Sequence, residues 1–168
     1  MKKEKSIQRT KEESRKIKII LLHLYKCMID YDFPQFRPPN EASSAVIRDS
    51  RGCPWNRCLF CTMYKTLTFQ PRFVKDVTKD IDNAVHIYPQ ARTVFIADSD
   101  SLAMKNIEEI IRHIKDRFPS AERITSYARA KTLMHLGAAR LTKLRDAGVT
   151  RVHVGLESGD EITLAFLQ

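Results

Sequence analysis

The chain has four cysteines, and three of them fall within the segment "RGCPWNRCLFC" at residues 51–61. Two residues separate Cys58 from Cys61, a spacing typical of metal-binding pairs, and four residues separate Cys53 from Cys58. No export signal is visible, and clustered thiols in a reducing compartment indicate metal or redox chemistry more often than disulfides. The segment therefore predicts a metal centre held by Cys53, Cys58 and Cys61.

These three cysteines offer three thiolates, and no fourth ligand lies near them in the sequence. Zinc in a structural site takes four protein ligands, so a zinc site needs a distant residue such as Cys27 or His86. A [4Fe–4S] cluster held by three thiolates instead leaves one iron open to a substrate or cofactor. The spacing therefore favours an iron–sulfur cluster and keeps zinc as the alternative.

Local sequence patterns predict the elements that must position these thiols. Apolar residues at helical spacing predict helices over residues 10–29, 74–88, 107–118 and 136–147. Short apolar runs predict strands near residues 44–49, 92–98, 123–129 and 150–156. We expect Gly148 to cap the helix that precedes it, and Asp160 and Glu161 to begin a further helix. Strands and helices that alternate with short connections predict parallel βα units.

Several polar residues directly follow the predicted strands. They are the three cysteines, Asp98, Asp100, Arg129 and Glu157. Folds built from parallel βα units carry their chemistry at the carboxyl edge of the sheet. The sequence therefore predicts one site formed by the loops at that edge.

The composition is that of one soluble globular domain, with 168 residues, 43% of them hydrophobic and 29% charged. No targeting or membrane segment is visible, so we expect a cytoplasmic protein without membrane association. The net charge is +9, and residues 1–18 carry eight Lys or Arg against three Glu. We interpret this basic segment as a solubilising helical extension, with nucleic-acid binding as the weaker alternative.

Four segments together resemble a known family. The stretch "RPPNEASSAVIRDSRGCPWNRCLFCTMYK" resembles the opening of the radical S-adenosylmethionine (radical SAM) superfamily, and "FIADSDSL", "RITSYARAKTL" and "RVHVGLESGDE" are similar to its later motifs. The resemblance covers residues 37–168 and is closest to the branch that resembles the Elongator catalytic subunit and oxygen-independent coproporphyrinogen oxidase. One departure is the cysteine spacing, since the commonest pattern in the superfamily is C-x3-C-x2-C and this chain has C-x4-C-x2-C.

The resemblance implies a mechanism for the open iron. The cluster held by Cys53, Cys58 and Cys61 is chelated by the amino and carboxylate groups of S-adenosylmethionine. Reductive cleavage of that cofactor gives methionine and a 5′-deoxyadenosyl radical, which abstracts hydrogen from a substrate. In such enzymes the cofactors carry the hard chemistry, and the protein supplies position and excludes water.

We therefore expect a radical SAM enzyme that acts on an unknown substrate with an external electron donor. Its catalytic residues are not identified by the sequence. One alternative is a non-catalytic remnant that binds an iron–sulfur cluster or zinc. Another is an RNA-modifying radical SAM enzyme whose basic extension binds RNA.

The resemblance also implies contacts to the adenine and the methionine amino group. Phe60 stands where similar proteins place an aromatic residue against adenine, and its alternative is a core residue beneath the loop. Asp98 and Asp100 stand where relatives have a Gly-Gly-Glu-type motif that contacts the amino group. The alternative for one of them is a helix N-cap.

Three further residues are implied to contact the cofactor. Arg129 is expected to pair with the methionine carboxylate, with Ser126 on the same strand, and the odd offset between them lets at most one point inward. Glu157 is expected to accept hydrogen bonds from the ribose hydroxyls, with a surface ion pair as the alternative. His153 is interpreted as a residue that lines the barrel rather than a ligand.

We divide the chain into a basic extension, residues 1–40, with an amphipathic helix and a proline-rich connector, and an α/β domain, residues 41–168. The resemblance implies that this domain is a partial parallel (βα) barrel of about four units, whereas radical SAM domains have about six. We therefore expect the chain to be the front part of a larger enzyme, with a partner chain or a further segment that supplies the other strands.

Overall fold

The computed structural model describes Tyr31 and residues 34–167. The predicted helix over residues 10–29 and the basic residues 1–18 lie outside the described residues. The end of the proline-rich connector forms a 3-10 turn, Pro39–Glu41. Within the described part of the chain, no helix combines the length and the apolarity that crossing a bilayer requires.

The described residues form six strands and four α-helices. The strands are β1 (Ala45–Arg48), β2 (Ser50–Arg51), β3 (Gln70–Pro71), β4 (Thr93–Ala97), β5 (Arg123–Tyr127) and β6 (Val149–His153). The helices are α1 (Val74–Ile87), α2 (Ile107–Arg117), α3 (Ala130–Ala147) and α4 (Glu161–Leu167).

Four of the strands form one parallel sheet in the order β1-β4-β5-β6. Ile47 of β1 lies opposite Ile96 of β4, and Ile96 lies opposite Ser126 of β5. Tyr127, the last residue of β5, lies opposite His153, the last residue of β6. The chain is therefore an α/β protein with the strand order of a partial barrel, as the sequence predicted.

The two faces of the sheet are packed differently, because successive side chains of a strand point to opposite faces. Ile47 and Ile96 belong to the large core under the helices. Val46 and Phe95 belong to a smaller cluster on the other face, against which Tyr127 packs. This second face carries fewer buried apolar residues than the face under the helices.

Helix α2 illustrates why the predicted helices form. Its isoleucines at positions 107, 110, 111 and 114 recur with helical spacing, and all four are fully buried against the sheet. Burying each such side chain stabilises the fold by about 1.5–3 kcal/mol. The acidic first turn and the basic last turn of α2 complement the helix dipole.

Helix α3 is longer than its predicted range of 136–147. It begins at Ala130 and is interrupted at Gly137, whose φ of 65° and ψ of 171° are not helical. The predicted helix corresponds to the part after this interruption. Gly148 caps α3 as expected, with a φ of 135° and an N–H that donates to the carbonyls of Leu144 and Arg145.

The predicted strands extend too far at their carboxyl ends. Residues 128–129 and 154–156 follow β5 and β6 but lie outside them. The N–H of Ala128 still donates to the carbonyl of His153, whereas Arg129 already belongs to the cap of α3. Strands β2 and β3 were not predicted, because two-residue strands carry no readable periodicity.

The described part of the sheet ends at β1 and β6, each of which pairs with one neighbouring strand. An unpaired strand edge is a site where further backbone can add. The expectation that a partner chain or a further segment supplies more strands stays a prediction.

We predict that Gly148→Ala destabilises the chain by about 1–3 kcal/mol, because a side chain is forced into a sparsely populated backbone conformation. The new Cβ also lies 3.3 Å from Ile124 Cδ1 and 3.4 Å from Ile111 Cγ2. The free energy of unfolding in urea measures the effect. Gly159→Ala is the control, since nothing lies within 4 Å of a Cβ there. Equal stability of the two variants would contradict the prediction.

Candidate functional site

The cysteine loop is closed at its base by the β2–β3 pair. Ser50 lies opposite Pro71 and Arg51 lies opposite Gln70 in an antiparallel pair. All three predicted cysteine ligands lie on the loop between these strands. The pairing holds the two ends of the loop together near the carboxyl end of β1.

Two hydrogen bonds tie the start of this loop to the residues after β4. The N–H of Gly52 donates to Asp98 Oδ2 at 3.0 Å, and the hydroxyl of Ser99 donates to the carbonyl of Gly52 at 3.1 Å. Gly52 has a φ of 84°, which favours glycine. The cysteine loop is therefore held at the carboxyl edge of the sheet.

Asn56 organises the interior of the loop. Its side-chain amide donates to the carbonyls of Tyr64 at 2.7 Å and Leu67 at 3.3 Å. Its backbone N–H donates to Cys53 Sγ at 3.4 Å. Its φ of 48° lies in the left-handed region, which asparagine tolerates better than most residues.

The three cysteines are free thiols and partly exposed. The N–H of Cys61 donates to the carbonyl of Cys58 at 3.3 Å, which folds this pair into a turn. Among the described residues, no three His, Cys, Asp or Glu side chains are close enough to hold one metal ion. A [4Fe–4S] cluster takes one thiolate per iron, and the set of three partly exposed thiols on one loop fits that requirement.

A buried ion pair lies beneath the loop. Arg48 Nε lies 3.1 Å from Asp98 Oδ1, and the two side chains are 2% and 0% exposed. The ring of Tyr31 lies 4.5 Å from the Arg48 guanidinium, and its hydroxyl accepts a hydrogen bond from the Arg48 N–H. Asp98, predicted to contact the methionine amino group, is therefore engaged by Arg48 and Gly52.

Asp49 is a second buried carboxyl at this edge. It is 0% exposed, and Ser101 Oγ donates to its Oδ1 at 2.9 Å. Burial raises the pKa of Asp49 to about 7, with the Asp98 charge adding to the increase and the Ser101 hydrogen bond opposing it. The sequence analysis did not single out Asp49, although a carboxylate at the end of an apolar strand is the signal that identified Asp98.

Asp100 links the residues after β4 to helix α3. Its Oδ1 accepts from the N–H of Arg129 at 3.2 Å, and its Oδ2 accepts from the hydroxyl of Thr132 at 2.6 Å. Asp100 is 2% exposed and connects the end of β4 to the start of α3. Asp100 directly precedes the 3-10 turn Ser101–Ala103 but makes no side-chain cap hydrogen bond to it, so the helix N-cap of the alternative interpretation is not formed there.

Ser126 and Arg129 point to different environments. Ser126 is fully buried, and its hydroxyl contacts the carbonyls of Ile96 and Tyr127. Arg129 is partly exposed, and its guanidinium lies 4.7 Å from the centre of the Trp55 ring. Arg129 thus faces the cysteine loop, while Ser126 is enclosed in the sheet.

Phe60 and Glu157 are both accessible. Phe60 is 49% exposed, so it is not the core residue that the alternative interpretation expected. Glu157 is exposed and has a φ of 62°. Its carboxylate folds over Gly155, where a Cβ would collide with it. Within the described part of the chain Glu157 forms no ion pair, in contrast to its alternative interpretation.

His153 packs on the face of the sheet that carries Phe95. Its Nε2 lies 3.1 Å from Glu41 Oε1, and its ring packs near Phe95 and Tyr127. Burial alone would raise the pKa of Glu41, but hydrogen bonds from Ser44 and His153 outweigh it and lower that pKa. The sequence analysis missed Glu41, since its partner is 112 residues away.

The family comparison agrees with this geometry. A family model described as the radical SAM superfamily matches residues 47–168. The chain belongs to the radical SAM superfamily. The match includes all three cysteines of this radical SAM domain, whereas the Elongator-like branch stays a prediction.

Solved structures share the fold of this radical SAM chain. The apo structure of OxsB, a cobalamin-dependent S-adenosylmethionine radical enzyme, matches with a TM-score of 0.53 and 22% identity, over 74% of this chain and 20% of OxsB. BtrN in an open conformation matches with a TM-score of 0.53 and 17% identity, over 70% of this chain and 52% of BtrN.

A second structure of BtrN, in complex with AdoMet and 2-DOIA, matches with a TM-score of 0.53 and 15% identity, over 74% of this chain and 50% of BtrN. The radical SAM chain therefore spans between a fifth and about half of the length of these structures. No curated protein matches the chain.

We predict that Asp49→Asn makes stability less dependent on pH. The pKa of Asp49 is higher in the folded chain than in the unfolded chain. The free energy of unfolding of the wild type therefore falls as the pH rises from about 4 to about 7. The variant keeps the oxygen that accepts from Ser101 but does not ionise. Urea unfolding should show the variant gaining stability over the wild type between about pH 4 and about pH 8. A constant difference across this range would contradict the prediction.

Proposed function

We propose that the chain binds a [4Fe–4S] cluster through Cys53, Cys58 and Cys61 and reductively cleaves S-adenosylmethionine to start radical chemistry on a substrate. The observation that carries the proposal is the set of three free thiols on one loop, held at the carboxyl edge of a radical SAM sheet. The basic residues that the RNA-modifying alternative needs lie outside the described part of the chain.

The loop prepares the thiols for a cluster. The Asn56 N–H points at Cys53 Sγ, where it would donate to the sulfur of a cluster-bound cysteine. The side chain of Asn56 fixes the loop through the carbonyls of Tyr64 and Leu67, so the geometry around the thiols is set before any ligand binds. When bound, the cluster supplies the electron that cleaves the sulfonium C–S bond.

Arg129 is the proposed partner of the methionine carboxylate. Its backbone is fixed by Asp100, and its guanidinium has no acidic partner within the described residues. A guanidinium with free N–H groups binds a carboxylate through two parallel hydrogen bonds. These bonds would restrict the motion of the methionine part of the bound cofactor. The result is orientation of the cofactor toward the cysteine loop.

The nucleoside part is proposed to lie between Phe60 and Glu157. The half-exposed ring of Phe60 offers a face for stacking adenine, and the exposed carboxylate of Glu157 is able to accept from both ribose hydroxyls. Asp98 is enclosed by Arg48 and Gly52, so we assign it the role of holding the loop rather than binding the amino group.

We predict that anaerobically prepared chain binds about four irons and four sulfides. Changing Cys53, Cys58 or Cys61 to Ala should abolish the cluster, because each thiolate holds a different iron. Cys27→Ala is the matched control and should keep the full iron content. One zinc per chain without sulfide, in preparations supplied with iron, would contradict the cluster and favour the zinc alternative.

We predict that S-adenosylmethionine changes the electron paramagnetic resonance spectrum of the reduced cluster and yields 5′-deoxyadenosine. Arg129→Ala and Glu157→Ala should weaken the spectral response without loss of iron, since each removes a proposed cofactor contact. Arg112→Ala and Glu109→Ala, exposed positions on α2, are the controls.

The same experiment separates the proposed enzyme from its alternative. A spectral response equal to the wild type in both site variants would remove Arg129 and Glu157 from the cofactor site. A full cluster that yields no 5′-deoxyadenosine under strong reductant would favour the non-catalytic remnant.

A further inference from the structure

Trp55 is the single tryptophan of the chain and lies in the segment between Cys53 and Cys58. Two guanidinium groups approach its ring. The Arg129 guanidinium carbon lies 4.7 Å from the ring centre, and that of Arg57 lies 5.2 Å away. Trp55 therefore joins the cysteine loop to the start of α3.

No carboxylate competes for these two guanidinium groups within the described residues. In this part of the chain, neither Arg57 nor Arg129 forms an ion pair with an acidic side chain. Asp100 accepts from the backbone of Arg129 and not from its side chain. The contact that the structure shows for the Arg129 guanidinium is therefore the face of the Trp55 ring.

A contact through the ring face has a chemical consequence. A cation is attracted to the face of an aromatic ring, and the indole of tryptophan attracts it more strongly than the rings of tyrosine and phenylalanine do. A guanidinium held there keeps N–H groups available at its edge, where a carboxylate binds in a bidentate manner. A salt bridge to an acidic side chain would instead use those N–H groups.

The position of Trp55 is itself fixed by its neighbours. The next residue, Asn56, donates from its backbone to Cys53 Sγ and from its side chain to the carbonyl of Tyr64. The backbone that carries the Trp55 ring is therefore held between Cys53 and Asn56 of the cysteine loop.

We infer that Trp55 is a positioning residue for Arg129, which it orients to receive the carboxylate of S-adenosylmethionine. Carboxylate binding thereby depends on the order of the cysteine loop. The inference rests on the proposed function, because it takes Arg129 as the carboxylate ligand. It assigns a role to one residue of the four-residue spacing that sets this chain apart from the commonest cysteine pattern.

The first test uses the fluorescence of the chain's single tryptophan. Arg129→Gln should change the emission of Trp55, because it removes a charge from the ring face, and Arg112→Gln on α2 should not. This fluorescence measurement needs neither bound cofactor nor catalytic turnover. Identical emission from the wild type and Arg129→Gln would overturn the inferred contact.

The second test measures S-adenosylhomocysteine binding to the anaerobically reconstituted protein by calorimetry. This probe carries the same amino and carboxylate groups but does not react. Trp55→Leu should weaken binding by about 3- to 30-fold with an unchanged iron content, the range expected for losing a cation–π contact. Trp55→Phe, which keeps an aromatic face, should retain most of the affinity.

Combining the variants separates positioning from structural damage. In an Arg129→Gln background, Trp55→Leu should cause little further loss, because the oriented group is already absent. An equal further loss in that background would overturn the inference, as would wild-type affinity in Trp55→Leu when Arg129→Gln binds weakly. Wild-type affinity in Arg129→Gln would instead overturn the proposed role of Arg129. If Trp55→Leu does not fold, the inference is tested by the S-adenosylhomocysteine affinity of Trp55→Phe and by the fluorescence emission of Arg129→Gln.

Discussion

The site depends on the buried ion pair between Arg48 and Asp98. Both side chains are almost fully excluded from solvent, so each charge is compensated by the other and by nearby hydrogen bonds. Removing one partner of such a pair leaves an uncompensated buried charge and typically costs about 3–5 kcal/mol. Asp98 also accepts from the N–H of Gly52, which makes the same carboxylate the support of the cysteine loop. The contact joins β1, β4 and the loop at one point.

The three residues that follow β4 connect this ion pair to the rest of the site through hydrogen bonds. Asp98 and Ser99 hold the two backbone groups of Gly52 at the start of the cysteine loop. Asp100 accepts from the N–H of Arg129 and the hydroxyl of Thr132 and so holds the start of α3. One short segment thus fixes both the proposed metal ligands and the proposed carboxylate ligand. The segment directly follows β4, all five residues of which are buried.

Much of the fold was predictable because its signals are local. The isoleucine spacing of α2 and the turn at Gly148 follow from residues within two helical turns of each other. The cysteine loop and the order of strands and helices were also read from the sequence, and the family match supports them. The β2–β3 pair and the first part of α3 were missed. Two-residue strands have no period, and Gly137 interrupts the helical pattern that would otherwise extend back to Ala130.

The sequence by itself determined which residue types are available at the carboxyl edge: three thiols, several carboxylates and an arginine. Tertiary structure decided which of them are already engaged by the protein. Asp98 and Asp100 lie two positions apart in the motif but are engaged by partners 46 and 29 residues away. Arg129 and Glu157 stay accessible, the former against the ring of Trp55. The reason is physical: burial and hydrogen bonding of a side chain depend on contacts between distant segments, which sequence periodicity does not encode.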